Sequence, residues 1–181
     1  MSPQKRLGQW ALAACLVSSA LHTGALAQSN NSFVLPQEVR DQFEFVIGEW
    51  DVEVTLANGN VYQAEWQNSW LADGVALVQE WRGPYTKGIE LRYYNAVDGG
   101  WQGYNVYTMN GGQARRMTSA RDGANMVVTI KETNRQGQEF LNRETYSDIT
   151  ALGWSMRSEL SYDDGETWQP GQYSLVERRR E

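Results

Sequence analysis

Beyond residue 27 this chain can do acid–base and charge-pairing chemistry only with carboxylates, phenols, lysines and guanidinium groups. Its single cysteine, Cys15, and its single histidine, His22, both precede that point. For the rest of the chain this excludes a Ser/His/Asp triad, a Cys/His nucleophile, zinc held by His or Cys, and haem held by His. Acid–base chemistry by Glu, Asp, Tyr or Lys stays open. Glu80, Arg92, Tyr94, Tyr107, Asn142, Glu144, Tyr146 and Arg157 are polar residues set beside apolar neighbours in strand-like stretches. There, alternation puts a side chain either in the interior or in water.

Glu90, Arg92 and Tyr94 share one face of such a stretch, and Ile89, Leu91 and Tyr93 the other. With the apolar face inward, Arg92 is a solvated surface charge. With a polar or anionic ligand inside, Arg92 points in and clamps it. Arg157, alternating with Trp154, Met156 and Ser158, poses the same question. Glu80, between Gln79 and Trp81, is placed to neutralise an inward arginine. Inside a barrel such an Arg–Glu pair reads first as a structural ion pair and only second as catalytic machinery.

No metal site is expected. Carboxylates are the only ligands available, and Asp163-Asp164-Gly165-Glu166 is too short for an EF-hand loop and reads as a turn. Gly99-Gly100 and Gly111-Gly112 are hairpin turns, since no helix follows either to cradle a phosphate. No cofactor is expected.

Residues 1–27 read as a signal peptide. Lys5 and Arg6 form the positive region, Leu7 to Leu21 the apolar region, and Ala25-Leu26-Ala27 the cleavage site. A competing reading takes Leu12-Ala13-Ala14-Cys15 as a lipobox, with the protein lipid-anchored at Cys15. The first reading places the protein in the periplasm or outside the cell. Removing residues 1–27 leaves 154 residues with 14 basic and 22 acidic side chains, a net charge of −8. That balance argues against nucleic acid and anionic membrane surfaces. Arg178-Arg179-Arg180, the one basic run, reads as the frayed end of a last strand. Seven tryptophans and nine tyrosines remain, an aromatic loading that suits strands and ligand pockets alike.

These side chains are positioned by a succession of strands. Residues 28–35 are a polar lead-in, and the barrel domain occupies 36–181. Pro36 opens a short helix whose apolar face is Val39, Phe43, Val46 and Ile47, and Gly48 ends it. From Glu49 the period becomes two: Trp50, Val52, Val54 and Leu56 alternate with polar residues up to the turn Ala57-Asn58-Gly59-Asn60. Further strands are predicted near 61–71, 75–83, 88–95, 101–108, 113–121, 125–133, 138–147, 152–161 and 168–178, separated by short Gly- and Asn-bearing turns. Short links make neighbours antiparallel, and a meander of about ten strands hides its edges by closing into an up-and-down barrel. Ser161-x-Asp163-x-Gly165-x-Thr167-Trp168 fits the Asp-box, read here as a hairpin stabiliser and not as a sign of glycosidase activity.

The run Phe43-Glu44-Phe45-Val46-Ile47-Gly48-Glu49-Trp50-Asp51-Val52 resembles the opening of an uncharacterised bacterial family of exported calycin-like barrels, in which a short helix leads through Gly-x-Trp into the first strand. The same pattern continues through Leu71-x-x-Gly74-x-Ala76-Leu77-Val78-Gln79-Glu80-Trp81, Leu91-Arg92-Tyr93-Tyr94 with Trp101, and Trp154-Ser155-Met156-Arg157. It is loosely similar to nitrobindin-like and lipocalin-like barrels. The resemblance implies a barrel of about ten strands with a hydrophobic cavity. The axial histidine of nitrobindin-like haem barrels has no counterpart after residue 27. The reading that follows is a binding module for a small apolar or amphipathic molecule. Its interior would be lined by Trp66, Trp81, Tyr107 and Trp154, with Arg92 or Arg157 orienting a polar end and Glu80 nearby. Its alternatives are a cofactor-free lyase, isomerase or cyclase using Tyr and Glu/Asp, and a structural barrel whose interior is filled.

Overall fold

Ten antiparallel strands close into one barrel in the computed structural model, which describes residues 34–181. The expected signal peptide and most of the lead-in, with Cys15 and His22, lie outside the described residues. The strands are β1 (Gly48–Leu56), β2 (Val61–Leu71), β3 (Ala76–Arg82), β4 (Lys87–Asn95) and β5 (Gly100–Tyr107), followed by β6 (Ala114–Asp122), β7 (Asn125–Thr133), β8 (Glu139–Ser147), β9 (Gly153–Ser161) and β10 (Gln169–Arg179). Each pairs with its sequence neighbours, and β1 pairs with β10 to complete the ring, with Val54 opposite Leu175 and Val52 opposite Glu177. Closure leaves no free edge. Among the described residues no helix is long and apolar enough to cross a membrane.

The expected continuous helix over 36–47 is not formed. One α-helical turn, α1 (Gln37–Arg40), is followed by a separate 3-10 turn at Glu44–Val46. The Val46 carbonyl is claimed by side chains, accepting from Trp50 Nε1 at 2.7 Å and Asn68 Nδ2 at 2.8 Å. This segment closes one end of the barrel. Phe43 and Val46 are fully buried, and the Phe43 ring meets Trp101 edge-on at 5.0 Å. Trp101 Nε1 donates to Gln42 Oε1 at 3.2 Å, and Trp70 Nε1 to Glu44 Oε2 at 3.0 Å. Trp50 packs on Trp154 at 4.0 Å, and Phe45 on Trp154 at 5.3 Å. Burying each such indole contributes roughly 4–6 kcal/mol of gross apolar transfer, so the dense half of the core lies at this end.

The last strand is clasped, not frayed. Arg179 stacks over the Trp50 ring at 4.4 Å and donates to the Ala151 and Ile47 carbonyls. Arg180 pairs with Asp51 and Glu65. At the opposite end, the Asp-box ties the β9–β10 hairpin. Ser161 Oγ accepts from Gly165 N at 2.8 Å, and Asp163 Oδ1 accepts from Thr167 N at 2.9 Å. Gly165 holds φ +92°, a conformation that favours glycine. Arg143 lies over the Trp168 ring at 3.8 Å.

Candidate functional site

Strand β4 carries its charge inward and its apolar side chains outward. Glu90 and Arg92 are 3% and 1% exposed, whereas Ile89 and Leu91 are 50% and 39% exposed. Room for this comes partly from Gly103, which faces Arg92 across the β4–β5 ladder. A Cβ there would stand 2.2 Å from the Leu91 carbonyl oxygen, so the strands approach too closely for any side chain.

Above the packed end, the barrel encloses a cavity of about 620 Å³ that extends to the hairpin end. Trp66, Trp81, Tyr62, Phe140, Met156, Leu160 and Leu175 give it apolar walls. Glu90, Asn105, Tyr107, Arg115, Glu132, Asn142, Glu144 and Tyr173 give it a polar belt. Trp66 and Trp81 meet edge-to-face at 5.5 Å.

The belt is organised around three carboxyl groups. Glu90 receives Arg92 Nη2 at 2.6 Å on one oxygen and the Tyr107 hydroxyl at 2.6 Å on the other. Glu132 pairs with Arg115 at 2.6 Å and accepts from Asn142 Nδ2 at 3.2 Å, while Arg115 Nε donates to Asn105 Oδ1 at 2.9 Å. Glu144 accepts from Tyr173 at 2.6 Å and from Tyr146 at 3.2 Å, and among the described residues it enters no ion pair. Burial and the neighbouring Glu90 carboxylate raise Glu144 to about 7, against the pull of Tyr173, Arg92 and Tyr146. Burial also lifts the Tyr107, Tyr146 and Tyr173 phenols well above their usual range, reinforced by the glutamates they face. Burial opposes the charge on Arg92, but Glu90 and the surrounding acidic groups outweigh it and raise its pKa. Deeper, Glu177 is buried, and burial raises it to about 9.

The residues expected to line the interior divide. Trp66, Trp81 and Tyr107 line the cavity. Trp154 faces inward but is packed against Trp50 and Phe45, below the cavity. Arg92 also points in, yet its guanidinium lies beneath Glu90 and 5.3 Å over the Phe43 ring, outside the cavity wall. Glu80 and Arg157 do not reach the interior. Leu77, Gln79 and Trp81 take the inward positions of β3, so Glu80 is turned out, 46% exposed and paired with Arg82. Trp154, Met156 and Ser158 take those of β9, leaving the Arg157 side chain 64% exposed beside Glu159. The neutralising partner of Arg92 is Glu90, two residues away on the same face.

Arg115, Glu132 and Tyr173 were not singled out from sequence. The signal for two of them is parity: Arg115 is in phase with buried Met117, and Glu132 with Ile130 and Val128. Tyr173 lies within the register shift between Pro170 and Ser174, so parity counted from the turn misleads there. The purely structural reading expected a filled interior, which the cavity contradicts.

The arrangement can hold a molecule with an apolar body and a polar group, and it can hold or release a proton near neutrality at Glu144. Among the described residues no group of three or more His, Cys, Asp or Glu side chains converges to hold a metal ion. No family model and no curated protein sequence matches the chain.

Proposed function

We propose that this protein is an exported, calycin-like binding module that carries a small, partly apolar molecule inside its barrel. The observation that carries this reading is the cavity of about 620 Å³, apolar on its walls and polar at one belt. Its size and lining are those of small-molecule sites, which run roughly 300–1,000 Å³ with a few placed polar groups. The plug of residues 34–47 and the aromatic packing above it supply a rigid floor, which lowers the ordering cost of binding. Export rests on the charged, apolar and small-residue pattern of residues 1–27.

The test is native mass spectrometry of the purified protein with solvent extraction of its contents. The expected result is one reproducible small molecule, lost when Leu160→Trp fills the cavity in a protein that still folds. A clean apo mass, with no apolar probe entering the wild-type cavity either, would overturn the reading.

A second reading is favoured by one observation. Glu144 titrates near neutrality and is hydrogen-bonded to a cavity-lining phenol, as a cofactor-free isomerase or lyase would require. Deuterium from D2O appearing at carbon in the extracted molecule, on incubation with the protein, would distinguish turnover from storage.

A further inference from the structure

The three carboxyl groups of the cavity are served by two arginines. Glu90 has Arg92, and Glu132 has Arg115. Among the described residues Glu144 has only phenols at contact, from Tyr173 and Tyr146. Hydrogen bonds from neutral hydroxyls offset part of the cost of burying an ionised carboxylate, but a cation at contact offsets far more. The asymmetry is specific to this position, because each of the other two carboxylates has its own guanidinium within 2.6 Å.

A second observation points the same way. Asn142 lies two residues from Glu144 on the same face of β8 and lines the same cavity. Its Nδ2 donates to Glu132 and Tyr173, which fixes the orientation of the amide, and its Oδ1 is left buried with no donor. Among the described residues, a carboxyl with no cation in contact and an amide oxygen without a donor therefore stand side by side. Both lack positive charge and N–H groups, and neither lacks an acceptor. The walls around them are aromatic, which also suits a cation.

Resting on the binding reading above, we propose that the occupant is an amphipathic amine whose ammonium group docks on Glu144 and Asn142 and whose apolar body lies against Trp66 and Trp81. An anionic end is disfavoured. Arg92 pairs with Glu90 and lies outside the cavity lining, and Arg115 is already committed to Glu132 and Asn105.

The proposal fixes a pH dependence. Glu144 is faced by Glu90 and Arg92 from β4, Tyr107 from β5, Tyr146 on its own strand, and Tyr173 and Glu177 from β10, with Arg115 and Glu132 joined to the same belt through Asn142. An ammonium beside it lowers its pKa, so binding near neutrality expels a proton and strengthens as the solution is made more alkaline. The ligand itself stays charged, because a primary amine titrates near pH 10.

4-Phenylbutylamine, 4-phenylbutanol and 4-phenylbutyrate share one apolar body and differ in end group. Calorimetry should show the amine binding about tenfold or more tighter than the other two, the value of one charged hydrogen bond. It should also show amine binding tightening between about pH 6 and pH 8 with protons released to the buffer. Glu144→Gln should lose that preference while keeping its circular dichroism spectrum. The proton release is read on wild type, so the test does not depend on the variant folding. Equal or tighter binding of the alcohol or the butyrate, or amine binding without proton release, would overturn the amine assignment and leave the binding reading standing. No binding by any of the three, together with a clean apo mass, would overturn both.

Discussion

Tyr173 donates its hydroxyl to Glu144 at 2.6 Å although the two residues stand on β10 and β8, strands that do not pair with each other. The bond spans the inner face of β9. The same hydroxyl accepts from Asn142 Nδ2 at 3.1 Å, so one phenol joins two members of the polar belt. Tyr173→Phe removes a bond that holds the Glu144 pKa down. Glu144 should then titrate above 7, and stability should fall by about 1–2 kcal/mol. Carboxyl-detected NMR titration and urea denaturation check the two effects separately.

Glu144 and Glu177 should make the protein less stable as the solution becomes alkaline. Their folded values, about 7 and about 9, lie above the ordinary carboxyl range that the unfolded chain shows. The folded state therefore holds more protons than the unfolded state between those limits. The stabilisation is complete below about pH 4 and is lost as pH rises through 7 and then 9. Each group contributes at most about 1.4 kcal/mol per pH unit. Glu177→Gln keeps the shape and removes one titration, so its melting temperature should exceed that of wild type at pH 8–9 and match it near pH 4. Thermal melts across pH decide this.

Asp163 acts in the opposite direction. Hydrogen bonds from the Thr167 hydroxyl and amide hold it down to about 2. The stability it adds is present above the ordinary aspartate range and is lost as pH falls toward 2. Within the same turn, Ser161→Ala removes the acceptor of the Gly165 amide and should cost about 1–2 kcal/mol. Acid titration followed by near-UV circular dichroism should show Asp163→Asn losing native packing at a higher pH than wild type.

Arg92 and Glu90 form a fully buried ion pair at 2.6 Å. Arg92→Met alone leaves Glu90 charged and buried, and should cost about 3–5 kcal/mol. Adding Glu90→Gln to Arg92→Met should restore part of that loss. A double-mutant cycle in urea measures the coupling, and strict additivity of the two changes would show that the pair does not act as a unit.

The strand segments and their turns were legible in the linear order of residues because both are local properties. Alternation with period two runs through β2 (Val61–Leu71) and β7 (Asn125–Thr133) over the spans expected of them, and Gly or Asn marks the turns between strands. The Asp-box was legible for the same reason, since the Ser161 and Asp163 side chains bond Gly165 and Thr167 within the same turn. Inward placement of Trp66, Trp81 and Tyr107 follows from parity with buried neighbours. Parity names two faces but does not say which is inside. On β4 the apolar pair Ile89 and Leu91 went out, because Arg92 finds Glu90 and the Phe43 ring within the barrel. The continuous helix over 36–47 breaks between Arg40 and Glu44 into α1 and a 3-10 turn, and the Val46 carbonyl at the end of that turn is held by Trp50 and Asn68 from two separate strands. The meeting of Glu144 with Tyr173 reaches across β9 and depends on the β8–β9 and β9–β10 registers, including the shift between Pro170 and Ser174, which alternation along a single strand does not specify. The chain order thus determined ten strands and a barrel. Closure decided which charges share one cavity, and the placement of the strands decided that Glu90 and Glu132 meet an arginine there while Glu144 meets Tyr173 and Tyr146.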